Sequence, residues 1–229
     1  MTAQSVIVAD DHPLFRSALV QALRQILPDA QIAEVDTFDS LHAAVAANPM
    51  LDLVLLDLQM PGAQGFSSLL FLRNEHPELP VIVVSGYEEP ALIQRALDFG
   101  ASGYVPKSCG LPDIARALRH VLDGGVWKPQ QLADAPALDA QQRELAQRIA
   151  SLSPQQFKVF MMLADGRLNK QIAFELGVME ATVKAHVTAI LRKLGLIRRT
   201  QAALLAQRLM QAENPSLDVP PAEPGDDED

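Results

Sequence analysis

The sequence predicts an α/β doubly wound, five-stranded parallel sheet followed by a separate all-α body of the helix-turn-helix kind. Three observations carry that expectation. Apolar runs of strand length alternate with helix-period stretches over the first half of the chain. A segment punctuated by Gly and Pro then breaks the pattern. Beyond that segment the charge changes sign.

Strands are expected at 5–9, 31–35, 52–57, 80–84 and 103–105, each too short for a helix. Helices are expected at 13–27, 40–47, 66–75, 90–99 and 111–122. A repeat of strand, helix and strand implies parallel pairing with right-handed crossovers. Gly124-Gly125, Lys128-Pro129 and Ala135-Pro136 mark a linker, within which 139–149 is helix-compatible. Ser153-Pro154-Gln155-Gln156 supplies an N-cap, a Pro at the first helical position and a Gln at the third, opening a helix that runs to Leu163 and closes at Asp165-Gly166. Asn169 is expected to cap a second helix ending near Leu176, with Gly177 permitting the turn. The third helix is expected at 180–194, with Val183, Val187, Ile190, Leu191 and Leu194 as its buried stripe.

At 229 residues and 48% apolar content the chain can supply a core for each of two domains. No stretch approaches the roughly 18 consecutive apolar residues of a membrane helix, and the N-terminus lacks a basic segment leading into an apolar one. A cytoplasmic protein without a membrane partner is the expectation. The lone Cys109 has no partner for a disulfide or a zinc cluster and is read as a small filler near a loop. Lys/Arg against Asp/Glu number eight and fifteen over 1–128, two and three over 129–152, nine and three over 153–210, and none and seven over 211–229. The segment nets of −7, −1, +6 and −7 point to nucleic acid as a partner of the third segment alone. The final segment is Pro-rich, ends Asp226-Asp227-Glu228-Asp229 and is expected to be disordered. Two roles stay open for it, a solubilising extension and a competitor with DNA for the basic segment.

Doubly wound sheets bind ligands at the carboxyl ends of their strands. There the sequence places Asp10 and Asp11 after the first strand, Asp57 at the end of the third, Ser85 after the fourth and Lys107 just past the fifth. Three carboxylates with room for water or phosphate suit a hard divalent ion such as Mg²⁺. Lys107 can pair with a phosphoryl oxygen as a point charge, and the Ser85 hydroxyl can donate to another. Any one of these could be an ordinary surface residue; a set gathered at four of the five strand ends is not. On the third helix, Ala181, Ala185, Thr188, Ala189 and Arg192 share the face opposite the buried stripe, flanked by Lys184, His186 and Lys193. Small residues there let the backbone approach a groove floor, and the cations can take phosphates.

The segments Val8-Ala9-Asp10-Asp11-His12-Pro13-Leu14, Leu55-Leu56-Asp57-Leu58-Gln59-Met60-Pro61-Gly62, Val83-Val84-Ser85-Gly86 and Gly100-Ala101-Ser102-Gly103-Tyr104-Val105-Pro106-Lys107 resemble the receiver domain of two-component response regulators over about residues 4–123. The resemblance implies a flavodoxin-like receiver whose Asp57 accepts a phosphoryl group from a sensor histidine kinase. It implies Mg²⁺ bound by Asp11, Asp57 and the Gln59 carbonyl, with Asp10 acting through water. Ser85 then swings toward the phosphoryl group, and Tyr104, at the aromatic switch position, turns inward behind it.

Leu152-Ser153-Pro154, Asn169-Lys170-Gln171-Ile172-Ala173, Leu176-Gly177-Val178, Ala181-Thr182-Val183-Lys184-Ala185-His186, Ile190-Leu191-Arg192-Lys193-Leu194 and Arg199-Thr200-Gln201-Ala202 resemble the helix-turn-helix of the NarL/FixJ or LuxR-type output family. By that resemblance Lys184, Ala185 and Thr188 face bases, while Thr182, His186, Arg192 and Lys193 hold the DNA backbone. The final helix, from Thr200, forms a dimer contact. Two departures stand out: Met179 replaces the usual Ser before the third helix, and Gln156 replaces Glu. The resulting organisation is a receiver at 1–127, a partly helical linker at 128–149, a DNA-binding domain at 150–210 and the tail at 211–229. The implied partners are a kinase, double-stranded promoter DNA, a second copy on phosphorylation and, as a further contact, RNA polymerase. Two rivals stand beside this. An aspartyl-phosphate phosphohydrolase would want a second carboxylate two residues after Asp57, where Gln59 stands. A constitutive DNA-binding protein with a vestigial receiver would not need the intact acid set.

Overall fold

A computed structural model describes residues 4–62, 65–129 and 140–210. They divide into two units, with the boundary between Asp139 and Ala140. The middle of the expected linker and the whole acidic tail lie outside the described residues.

In the first unit β1 (Ser5–Ala9), β2 (Gln31–Val35), β3 (Leu53–Leu56), β4 (Val81–Ser85) and β5 (Gly103–Pro106) alternate with α1 (Pro13–Ile26), α2 (Phe38–Ala47), α3 (Ser67–Glu75), α4 (Pro90–Asp98) and α5 (Leu111–Leu122). The strands pair in parallel in the order β2-β1-β3-β4-β5, the doubly wound sheet the sequence predicts. Val6, Val8, Leu53, Leu55, Ile82, Val84 and Val105 point to one face, where α1 and α5 pack through Leu19, Leu23, Ile114 and Leu118. The alternate positions Ile7, Val54, Leu56 and Val83 are equally buried, which is why the strands read as continuous apolar runs.

The chain leaves β1 for β2 on one side and returns to β3 on the other, so the sheet's topological switch point lies between the ends of β1 and β3. Helix α2 begins two residues before the expected start. Thr37 caps it, its hydroxyl accepting from Ser40 N at 3.2 Å while Ser40 Oγ accepts from Thr37 N at 3.1 Å. That reciprocal cap uses Ser where Glu or Gln is usual, so it carried no signal. Beyond α5 the chain returns to the sheet: Trp127 N donates to Ser102 O at 3.0 Å, and Tyr104 N to Trp127 O at 3.2 Å. Gly103 makes this approach possible, since a Cβ there would sit 3.0 Å from the Trp127 Cβ and 3.3 Å from Val121 Cγ2.

The second unit holds α6 (Ala140–Ala150), α7 (Pro154–Ala164), α8 (Asn169–Leu176), α9 (Glu180–Leu194) and α10 (Arg199–Met210). The expected capping box opens α7: Gln156 N donates to Ser153 Oγ at 3.3 Å and Ser153 N to Gln156 Oε1 at 3.0 Å. At α8 the expectation fails. Asn169 is the first helical residue, Leu168 is the N-cap, and the Asn169 Oδ1 accepts from Arg199 Nη1 at 2.6 Å. Leu168 has no acceptor to offer, so only the reverse half of a box exists, Leu168 N donating to Gln171 Oε1 at 2.8 Å. Gly177 (φ 64°) and Gly195 (φ 70°) end α8 and α9 in the left-handed region, where a Cβ is penalised. Val183, Val187, Ile190 and Leu194 are buried as expected, whereas Leu191 is only half-buried. Helix α9 packs on α7 and α8, and α10 on α7 and α9. Among the described residues no helix is long and apolar enough to cross a membrane.

Candidate functional sites

The sheet's own ladder places the acidic group. Asp10 N donates to Val35 O at 3.0 Å, Asp57 N to Ala9 O at 2.8 Å and Lys107 N to Ser85 O at 2.8 Å. Residues just past the strand ends are therefore held almost as firmly as the strands. The Lys107 Nζ reaches both acids, 2.7 Å from Asp57 Oδ2 and 2.8 Å from Asp10 Oδ2. Both carboxylates are buried, at 2% and 0% exposure. Burial pushes the Asp57 carboxyl up from its ordinary value, against the pull of the Lys107 hydrogen bond and charge and of the Gln59 N–H, which donates to Asp57 Oδ1 at 3.1 Å. Burial alone would lower the Lys107 ammonium, but its bonds to Asp10 and Asp57 outweigh that and raise it, so it stays charged. The Lys107 ammonium also lies 4.9 Å from the centre of the Phe15 ring.

Asp11 is more exposed and pairs with His12, whose Nδ1 is 2.7 Å from Asp11 Oδ1. Asp10, Asp11, His12 and Asp57 each offer a ligand atom within 4.8 Å of the others. Three carboxylates against one ammonium leave excess negative charge in a half-dry pocket. The donors are mainly hard oxygens, so the residues fit a divalent ion such as Mg²⁺. His12 went unassigned in the sequence, although its place directly after the acid pair was a usable signal.

Ser85, Tyr104 and Gln59 meet at Tyr87, which carries no motif signal of its own. Tyr87 N donates to Ser85 Oγ at 3.4 Å, Tyr104 Oη donates to Tyr87 O at 2.8 Å, and Gln59 Nε2 donates to Tyr87 Oη at 2.6 Å. Tyr104 is fully buried, at 0% exposure, and burial raises its phenol well above the ordinary range. The Tyr104 ring, expected at the aromatic switch position, lies inward in this structure, held by the Tyr87 carbonyl. Cys109 is half-buried against the α1/α5 core, and burial raises its thiol, in keeping with a packing role.

On α9 the residues expected to meet DNA separate into two groups. Ala181, Thr182, Lys184, Ala185, Thr188 and Arg192 are exposed. Thr188 Oγ1 donates back to Lys184 O at 3.0 Å, and Lys184 Nζ lies 3.5 Å from Glu180 Oε1, a loose surface pair. His186 and Lys193 are only half-exposed, and the Lys193 ammonium donates to Ser151 O at 2.7 Å. Lys193 thus ties α9 to the segment before α7. The N-cap of α9 is Met179, 75% exposed and without a side-chain acceptor, as the sequence implied.

Comparison with known proteins matches residues 6–119 to the response regulator receiver domain and residues 150–206 to the bacterial regulatory proteins of the luxR family. The glycerol metabolism activator of Pseudomonas putida is 35% identical over 207 residues, spanning 88% of this chain and 94% of that protein. The DNA-binding transcriptional activator DevR/DosR of Mycobacterium tuberculosis is 33% identical over 218 residues, spanning 92% and 97%. The RcsB response regulator of Salmonella typhimurium shares the fold, with a TM-score of 0.53 and 24% identity over 89% of this chain and 98% of that one. Two family matches in this order and two relatives aligned over nearly their whole length place the chain among the NarL/FixJ-type response regulators, DNA-binding transcriptional regulators rather than enzymes.

Proposed function

We propose that Asp57 is the phosphoacceptor and that its modification controls transcription through the second unit. A carboxylate oxygen of Asp57 attacks the phosphorus of a phosphohistidine on a sensor kinase; the P–O bond forms as the P–N bond breaks, and the imidazole leaves. The observation that carries this reading is the Lys107 ammonium within 2.8 Å of both Asp57 and Asp10, at the sheet's switch point. An ammonium so placed can move to a phosphoryl oxygen without leaving the pocket. Asp10, Asp11, Asp57 and the Gln59 carbonyl would hold Mg²⁺, which supplies charge neutralisation for the incoming phosphoryl group.

Phosphorylation adds about −1.5 to −2 charges and three acceptor oxygens. The Ser85 hydroxyl donates to one of them, and the loop carrying Tyr87 follows Ser85, because Tyr87 N is bonded to its oxygen. As Ser85 swings toward the phosphoryl group, Tyr104 is favoured in its inward position, where the Tyr87 carbonyl accepts from it. The modified protein dimerises and binds promoter DNA through α9, with Lys184, Ala185 and Thr188 toward bases and Thr182, His186, Arg192 and Lys193 toward phosphates. Lys193 supports α9 through Ser151. RNA polymerase is a further contact, and the protein acts in the cytoplasm as the receiving end of a phosphorelay.

Mass mapping after treatment with acetyl phosphate and Mg²⁺ tests the first half, with the phosphoryl increment expected on Asp57 and absent from Asp57→Ala. Beryllofluoride tests the second half, with a rise in dimer fraction and in affinity for duplex DNA expected. Beryllofluoride bound to the protein with neither quantity changed would overturn the control reading.

A further inference from the structure

We infer that the acidic tail, residues 211–229, docks on the exposed face of α9 and competes there with DNA. The occupant follows from charge complementarity and from where the tail is rooted. The tail carries seven carboxylates, Glu213, Asp218, Glu223, Asp226, Asp227, Glu228 and Asp229, and neither Lys nor Arg. The face it would meet carries the exposed side chains of Lys184 and Arg192 around Ala181, Ala185 and Thr188, in a segment whose net charge is +6. Small side chains at three positions leave the cations standing clear, open to an extended acidic strand as to a phosphate backbone.

Geometry allows the contact within one molecule. Helix α10 ends at Met210 and packs on α7 and α9, so the tail starts on the body that carries the face. A flexible chain of nineteen residues has a mean span of about 25 Å, and at about 3.3 Å per residue its limit is about 60 Å. A unit of this length has a radius of gyration of about 11 Å. Every point on its surface is therefore within reach, and a tether of this kind holds the tail at an effective concentration of order millimolar. Weak ionic attraction at that concentration is enough to occupy the face for much of the time at low salt, and screening removes it as the Debye length falls below 10 Å. Specific sites, which also gain from base and shape readout, displace the tail more easily than random DNA does, so the tail would sharpen selectivity by suppressing nonspecific binding.

Two variants of the full chain test this with a random-sequence duplex: one ending after Met210, the other keeping its length with every tail Asp→Asn and Glu→Gln. Both are expected to bind about three to ten times more tightly than the parent at about 50 mM salt and equally at about 300 mM, with a steeper salt dependence. Carbodiimide cross-linking of dilute parent protein is expected to join a tail carboxylate to Lys184 within the same chain, and to fail at about 300 mM salt. Unchanged affinity in both variants overturns the inference, as does tightening in the truncated variant alone, which would assign the effect to bulk. Cross-links from the tail to the first unit or to a second copy, in place of Lys184, overturn it as well.

Discussion

The two units keep their candidate site residues in opposite environments. In the first, Asp10, Asp57, Ser85 and Tyr104 are each at most 2% exposed, and each is bonded to a neighbour that also matters. In the second, Thr182, Lys184, Ala185, Thr188 and Arg192 stand in solvent on a helix whose other side is the core. A buried polar network responds as a unit, because removing one member leaves the others with unpaired charge in low dielectric. An exposed face responds residue by residue, because water takes over whatever is removed. The first unit suits a switch and the second suits a reader.

Variants can break or sharpen that contrast. The largest effect is expected from Lys184→Ala combined with Arg192→Ala, which should weaken DNA binding about tenfold or more and lower the salt slope by about two. Acetyl phosphate labelling should be retained, and a coupled loss of labelling would contradict the separation of the units' chemistry. Next comes Lys107→Ala, which strands two buried carboxylates together. The first unit should lose on the order of 2 kcal/mol in urea unfolding, less than a fully enclosed pair because Lys107 keeps some solvent contact. Mg²⁺ should restore most of it, and unchanged stability would mean that Asp10 and Asp57 are not held against each other by this ammonium.

Smaller effects probe the caps and Tyr104. Leu168→Ser and Met179→Ser supply the acceptors missing at the starts of α8 and α9, at positions 66% and 75% exposed. Each should stabilise the second unit by about 1 kcal/mol, read from its unfolding midpoint. Destabilisation by either would show that the apolar side chain serves a contact of its own. Least affected is Tyr104→Phe, which loses the bond to the Tyr87 carbonyl, about 1 kcal/mol at neutral pH. The buried phenol holds its proton more tightly than the unfolded one, so its stability contribution is intact below the ordinary tyrosine pKa of about 10 and declines above it. The stability gap between wild type and Tyr104→Phe should therefore narrow as pH rises past that point.

How legible each region was follows from the same contrast. Strand ends can be read from a chain because short apolar runs stop sharply, so Asp10, Asp11, Asp57, Ser85 and Lys107 stand out together in the sequence. Tyr87 does not, because its role is carried largely by a backbone carbonyl and a backbone N–H, which no side chain announces. The inward Tyr104 likewise depends on that carbonyl. In the second unit the buried stripe of α9 was read from its period. The bond from Lys193 to Ser151 O was not legible, because its partner lies more than forty residues away. Asn169 looked like an N-cap by type, but Arg199 from α10 claims its oxygen, a tertiary contact that overrides local preference.

The return of the chain to β5 has a practical consequence. Trp127, the protein's single tryptophan, is bonded to Ser102 on one side and to Tyr104 N on the other, with its ring 5.9 Å from that of His120. Its emission therefore comes from one known place, beside the backbone of Tyr104 and at the edge of the sheet's last strand. The native molecule carries an optical gauge at the junction where a signal would leave the sheet, readable without a label or a substitution.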